Sequence, residues 1–326
     1  VKYYNYNIEL PFSKKVVAFR EINTNEQMAL AKANLSFNNS KDNYFPFNNF
    51  VLTTVKNILE NKNDFDKINI VDYMLFLTKL RIVSIGNIIT LTTESKNKEF
   101  KSTKTTIDLN VFLKNLYSCT TEALVDSILL ENNVEVKLGW PTVESVKLFQ
   151  DLLTLEKNQY QIFNETYHEF IEYIKINNKK ISFNDFNLKQ KIDLMDELSI
   201  SMIKKIKDRV LDCVKYVLTY DLFGISTFKN YTFNFFNLNF IDYIRLFYSN
   251  DVRAIYQEIS YLARSGITPE YVLSISPSER KIYSTLVQEA KKMENKQDNY
   301  DFNKINSNSS RAVQDLALEF GDSPPK

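Results

Sequence analysis

The sequence predicts an α+β protein: a small antiparallel sheet with helices in the N-terminal part, an all-α C-terminal domain and a flexible tail. Three observations predict it. The N-terminal residues alternate with period two on both sides of a Pro11–Lys14 turn; a β-branched run after Gly86 has a matching run beyond a polar loop; and past Pro141 the periodic segments take helical spacing. The predicted domains are residues 1–140, 141–295 and a tail of 296–326.

The hairpin comes first, with strands Tyr3–Leu10 and Lys15–Arg20. Thr24 or Asn23 then caps a helix whose inner stripe is Met28, Leu30, Ala31 and Leu35, and a polar loop, Asn38–Asn43, leads to a second helix near Phe47–Glu60. The next segment, KINIVDYMLFLTKLRIVSIGN, has the best specified start in the chain. Asn69 is its cap, Asp72 is the acidic residue three positions on, and Ile68 with Tyr73 occupies the two positions of a hydrophobic staple. Gly86 ends the helix. Beyond it, NIITLTT and KSTKTTIDL pair across the polar loop Glu94–Lys101. A last strand over Val134–Trp140 precedes Pro141, and there the predicted strands end. Helices are expected over Val143–Leu155, Gln159–Ile176, Asn187–Leu198, Ile200–Tyr220, Asn239–Phe247, Asp251–Ser265 and Pro277–Glu294. After Glu294 the chain turns polar, then carries Val313, Leu316, Ala317 and Phe320 at helical spacing, the pattern of a short docking helix.

Bulk composition excludes several function classes. With 41 basic and 40 acidic side chains in 326 residues, no long-range field points to nucleic acid or an anionic membrane. The two cysteines, Cys119 and Cys213, match no metal or redox spacing and read as buried thiols of a reducing compartment. No run of 18 uninterrupted apolar residues is present, the N-terminus resembles neither a signal nor a transit peptide, and a cytoplasmic protein is expected. The single histidine, His168, lies in NETYHEFIEYIK, where a solvated position on an amphipathic helix is expected. Five scattered glycines form no phosphate-binding loop. Asp193 with Asp196 or Glu197 reads as helix surface. The basic residues of Met202–Val217 do not gather on one face, and the aromatic cluster Phe228–Tyr248 reads as core before interface. No cofactor, metal or catalytic group is implied.

One block stands out. Asp72, Leu77, Arg81, Ser84 and Gly86 keep an Asp-x4-Leu-x3-Arg-x2-Ser-x-Gly order, after a start that reads LPFSKKVVAFREINTNEQMALAKA. Together these resemble the baseplate hub assembly protein family of T-even-like contractile-tailed phages over residues 3–140. The stretch ISPSERKIYSTLVQEAKKME, with Glu279 and Arg280, is similar to a Pro-x-Glu-Arg helix near the C-terminus of such proteins. The resemblance implies a non-enzymatic structural or assembly role, other baseplate or tail proteins as partners, and a place in the host cytoplasm during assembly or in the virion tail baseplate. No small-molecule substrate or membrane is implied, and nucleic acid is not favoured. The competing class is a nucleic-acid-binding module or enzyme of a phage-like genome.

The candidate structural or partner-binding residues are Arg81, Ser84, Gly86, Trp140, Glu279, Arg280, Val313, Leu316 and Phe320. A guanidinium inside an apolar helix must find carboxylates or carbonyls. Arg81 is one turn from the exposed carbonyls at its helix end, and is expected either to staple helix to sheet or to contact another subunit. Ser276, Pro277 and Glu279 have the spacing of a helix start.

Overall fold

The computed structural model describes residues 6–36, 44–62, 68–93, 103–145, 148, 149, 152, 155, 158–224 and 252–294. Strands β1 (Tyr6–Leu10) and β2 (Lys15–Phe19) form the first hairpin in register Tyr6 with Phe19 and Leu10 with Lys15, and alternation sends Leu10, Val17 and Phe19 inward. Helix α1 (Thr24–Ser36) starts at a reciprocal cap: the Asn23 side chain accepts the Glu26 N–H, and the Glu26 carboxylate accepts the Asn23 N–H. Helix α2 (Tyr44–Lys56) follows, and the chain leaving it bonds to the hairpin edge through Arg20 N–H to Ile58 O and Glu60 N–H to Ala18 O.

Helix α3 (Ile70–Ser84) is largely apolar and buried over most of its surface, with Lys79, Ile82 and Val83 partly exposed on one side, which makes it the central element. Its Asn69 cap accepts the Asp72 N–H at 2.9 Å. Gly86, at φ +122°, donates its N–H to the carbonyls of Arg81 and Ile82 and turns the chain into β3 (Ile88–Thr93), which pairs antiparallel with β4 (Thr103–Asp108). Asp108 then caps α4 (Leu109–Ala123), which is not among the predicted elements and buries Phe112, Leu116 and Cys119.

A four-stranded antiparallel sheet, β5 (Ile128–Leu129), β6 (Val134–Leu138), β7 (Ile171–Ile176) and β8 (Lys179–Ser182), comes next. This corrects the expectation that strands end before residue 142. The predicted helix Gln159–Ile176 is helical only as α5 (Gln159–Thr166); a 3-10 turn at Tyr167–Phe170 leads into β7. Asn177 and Asn178, both at positive φ, supply the two-residue turn that suits a twisted hairpin. Residues on either side of Gly139–Thr142 share one interior. Strand β6 pairs with β7, Ile70 N–H bonds Pro141 O at 2.8 Å, Val143 N–H bonds Ile68 O at 3.0 Å, and the main core runs from Leu10 to Phe223.

From there the described chain is helical: α6 (Leu188–Asp196), α7 (Ile200–Thr219), α8 (Val252–Arg264), the short α9 (Pro269–Ser274) and α10 (277–294). Helix α7 lays Met202, Ile206, Val210, Cys213, Val214 and Val217 on the main core at helical spacing. Helices α8, α9 and α10 build a separate small core with α1, in which Met28 meets Ile255, Ile259, Leu262 and Val272. The architecture is α+β with a helical C-terminal region. The predicted helix Asn239–Phe247, the aromatic cluster Phe228–Tyr248 and the tail with Val313, Leu316 and Phe320 lie outside the described residues. Among the described residues, no helix is long and apolar enough to cross a membrane.

Candidate functional site

Two clusters of buried polar side chains carry Arg81, Ser84 and Arg280 among the residues singled out by sequence, and a third was missed. The first surrounds α3. Asp72, fully buried, does more than start its helix: its carboxylate accepts the backbone N–H groups of Phe12 at 3.2 Å and Ser13 at 2.7 Å, the Ser13 hydroxyl, and the Asn69 amide at 3.1 Å. The β1–β2 turn is thereby clamped to the start of α3. Burial pushes the Asp72 carboxyl up, ahead of the opposing pull of these donors.

At the other end of α3, Arg81 is buried and donates Nη1 to the carbonyl of Gly86, the residue through which the helix passes to β3. Ser84, also buried, accepts the backbone N–H of Ile22 at 3.1 Å, tying the segment between β2 and α1 to the same helix. No Cβ clash would arise at Gly86, so its glycine requirement is conformational. Each polar member of the Asp-x4-Leu-x3-Arg-x2-Ser-x-Gly block therefore fixes a neighbouring segment to α3, while Leu77 fills the core beneath it. Trp140 is buried too, with Nε1 donating to Thr120 O at 3.3 Å and its ring edge-on to Phe170.

The second cluster centres on Arg280, which is 4% exposed. Its Nε donates to Glu258 on α8 at 2.7 Å, and its Nη1 to Thr24 at 2.9 Å and Gln27 at 3.1 Å on α1. Ser284 adds a bond to Glu258, Ser278 one to Glu21, and the Thr24 N–H and hydroxyl both donate to the Ile275 carbonyl. Glu279 is exposed, its N–H held by the Ser276 hydroxyl at 3.2 Å. Adjacent residues thus face opposite ways: Arg280 inward, Glu279 outward.

The missed cluster is built around Glu169. Ser145 donates its hydroxyl to Glu169 Oε2 at 2.5 Å, Lys191 donates to both carboxylate oxygens at 3.0 and 3.1 Å, and His168 Nε2 lies 3.3 Å from Oε1. His168 is 3% exposed, which corrects the expected solvated position: the 3-10 turn before β7 folds it inward. Burial alone would raise the Glu169 carboxyl, but the imidazole, the hydroxyl and the ammonium outweigh it and hold the group down to about 2. At neutral pH such a carboxylate accepts hydrogen bonds and does not abstract protons. The Ser145 hydrogen points to a carboxylate and not to the imidazole, so this is the geometry of an ion cluster bracing β7 and α6, not of an activated nucleophile. Ser145, Glu169 and Lys191 are far apart in sequence, and no spacing signal could have joined them.

Both cysteines are free and buried, and burial raises the Cys119 thiol to about 12. Asp193 and Asp196 on α6 and Glu197 just after it are exposed. Of the basic side chains on α7, Lys207 sits over the Tyr167 ring and bonds Asn164, while Arg209 bonds the Ala123 carbonyl. Among the described residues, no group of His, Cys, Asp and Glu side chains is arranged to hold a metal ion.

The buried polar clusters fix one element of the fold to the next. Residues 3–239 match the model of the family described as T4 bacteriophage base plate protein, and the chain belongs to that family. It is a bacteriophage baseplate protein. The α3 block falls inside the matched stretch, whereas α8, α9 and α10 lie beyond it. Comparison with curated proteins and with solved structures gives no match.

Proposed function

We propose that this chain is a structural or assembly component of the central hub of a contractile-tail baseplate, working without catalysis through protein–protein surfaces. The observation that carries the proposal is membership of the baseplate family over residues 3–239. The chemistry at the α3 block supports it: Asp72, Arg81 and Ser84 are engaged in bonds that fix the hairpin, the helix exit and the approach to α1. Arg81, Ser84, Gly86, Trp140 and Arg280 are the residues that hold the surfaces in place. Glu279 is available to a partner. The partners are other baseplate or tail proteins, met in the host cytoplasm during assembly.

Mass spectrometry of purified virions and of baseplate intermediates tests the proposal. A fixed stoichiometry in both marks a hub subunit; presence in intermediates alone marks an assembly factor that leaves. Absence from both overturns the proposal. Fluorescence polarisation with single- and double-stranded DNA at about 0.15 M salt tests the competing class, in which tight binding weakens steeply as salt rises.

A further inference from the structure

Helix α10 has two apolar faces. One carries Arg280 and Ser284 with half-buried Tyr283 and Val287 and packs on the small core of α1, α8 and α9. On the opposite face Ile282, Leu286 and Met293 stand in a row, 60%, 54% and 69% exposed. At about 100° per residue the three fall within roughly 40° of one another. Their spacings of four and seven are those of a coiled-coil seam, with Glu289 completing the row. Isolated surface hydrophobics are ordinary, but a row at seam spacing on a helix already anchored by its other face is a docking surface.

We propose that the occupant of this seam is residues 311–320 of the same chain, folded back as an antiparallel helix on α10. Those residues, RAVQDLALEF, place Val313, Leu316, Ala317 and Phe320 on one helical face and are too short to hold a helix alone. The chain length fits. Residues 295–310 join the end of α10 to this segment, and a polar linker of that length, with a typical span of about 20 Å, is long enough to bridge the roughly 10 Å between two packed helix axes. With Leu316 opposite Leu286, Phe320 falls on Ile282 and Val313 between Leu286 and Met293.

The test is hydrogen exchange of the full chain, wild type against Leu286→Asp. Amides of 311–320 are expected to exchange about 10-fold or more slowly than unstructured amides in the wild type, and to lose that protection in the variant. Retained protection at Ile255 and Leu262 shows that the small core is still folded. A Leu286→Cys, Leu316→Cys pair is expected to close an intrachain disulfide in dilute oxidised protein. Free exchange of 311–320 in the wild type overturns the proposal. Protection that grows with protein concentration, or an interchain disulfide, assigns the seam to a second copy; protection that appears only with another baseplate protein assigns it to that partner; either outcome overturns it as well.

Discussion

The Asp72 carboxylate takes the Ser13 backbone N–H at 2.7 Å and the Ser13 hydroxyl as well, joining the tip of a hairpin to the first turn of a helix 59 residues away in sequence. Asp72→Ala leaves two backbone N–H groups and an amide without their acceptor, in a part-buried site. It is expected to cost about 2–4 kcal/mol in urea unfolding, and Ser13→Ala, which spares the backbone bonds, about 0.5–1.5 kcal/mol. Equal costs would show that the hydroxyl, and not the clamp, carries the stability.

Arg81→Met removes the donor from the Gly86 carbonyl at the α3 exit. The expected loss is roughly 2–4 kcal/mol, with baseplate assembly failing through misfolding. A variant that melts like wild type yet fails to join complexes would assign Arg81 to a partner contact.

The neighbours Glu279 and Arg280 separate surface from interior. Arg280→Met removes the donor shared by Glu258, Thr24 and Gln27 and is expected to lower stability by about 2–4 kcal/mol, releasing amide protection in α1 as well as α10. Glu279→Gln costs well under about 1 kcal/mol, as for one exposed position in a first helical turn. Loss of baseplate formation by Glu279→Gln at unchanged melting temperature would make Glu279 a recognition residue.

Glu169 sets an acid limit. Its folded value of about 2 lies below the ordinary 4.5, so its contribution is fully present above the ordinary value and is lost as pH falls through the folded one. The expected decline, between about pH 4.5 and 2, is of order 3 kcal/mol in chemical denaturation at stepped pH. Glu169→Gln is expected to flatten that limb of the profile. Asp72 acts with the opposite sign: its raised value makes its contribution greatest at low pH and smaller as pH rises through the folded value.

Local signals were readable and distant ones were not. Asn69 capping α3 and the glycine that ends it are written within a few residues of the helix they bound, and the structure places both there. The failure at β7 came from FIEYIKI, where Phe170, Ile171, Ile174 and Ile176 satisfy helical and strand spacing alike. The Asn177–Asn178 pair and the β-branched content were the arbiters, since two asparagines at positive φ suit a hairpin and end a helix. The site divides in the same way. The α3 block was visible as a spacing, but what each side chain holds was not, because Ser13 and Ile22 approach from other segments. Arg280 reaching Thr24, and Ser145 reaching Glu169, carry no periodicity at all.

The bonds from Thr24 to Ile275 and Arg280 also order the birth of the molecule. During synthesis the inner face of α1, with Met28, leaves the ribosome some 250 residues before the helices that cover it. The main core can close over α3 while that face is still bare, and the nascent chain carries an unsealed flank until its last described helix emerges.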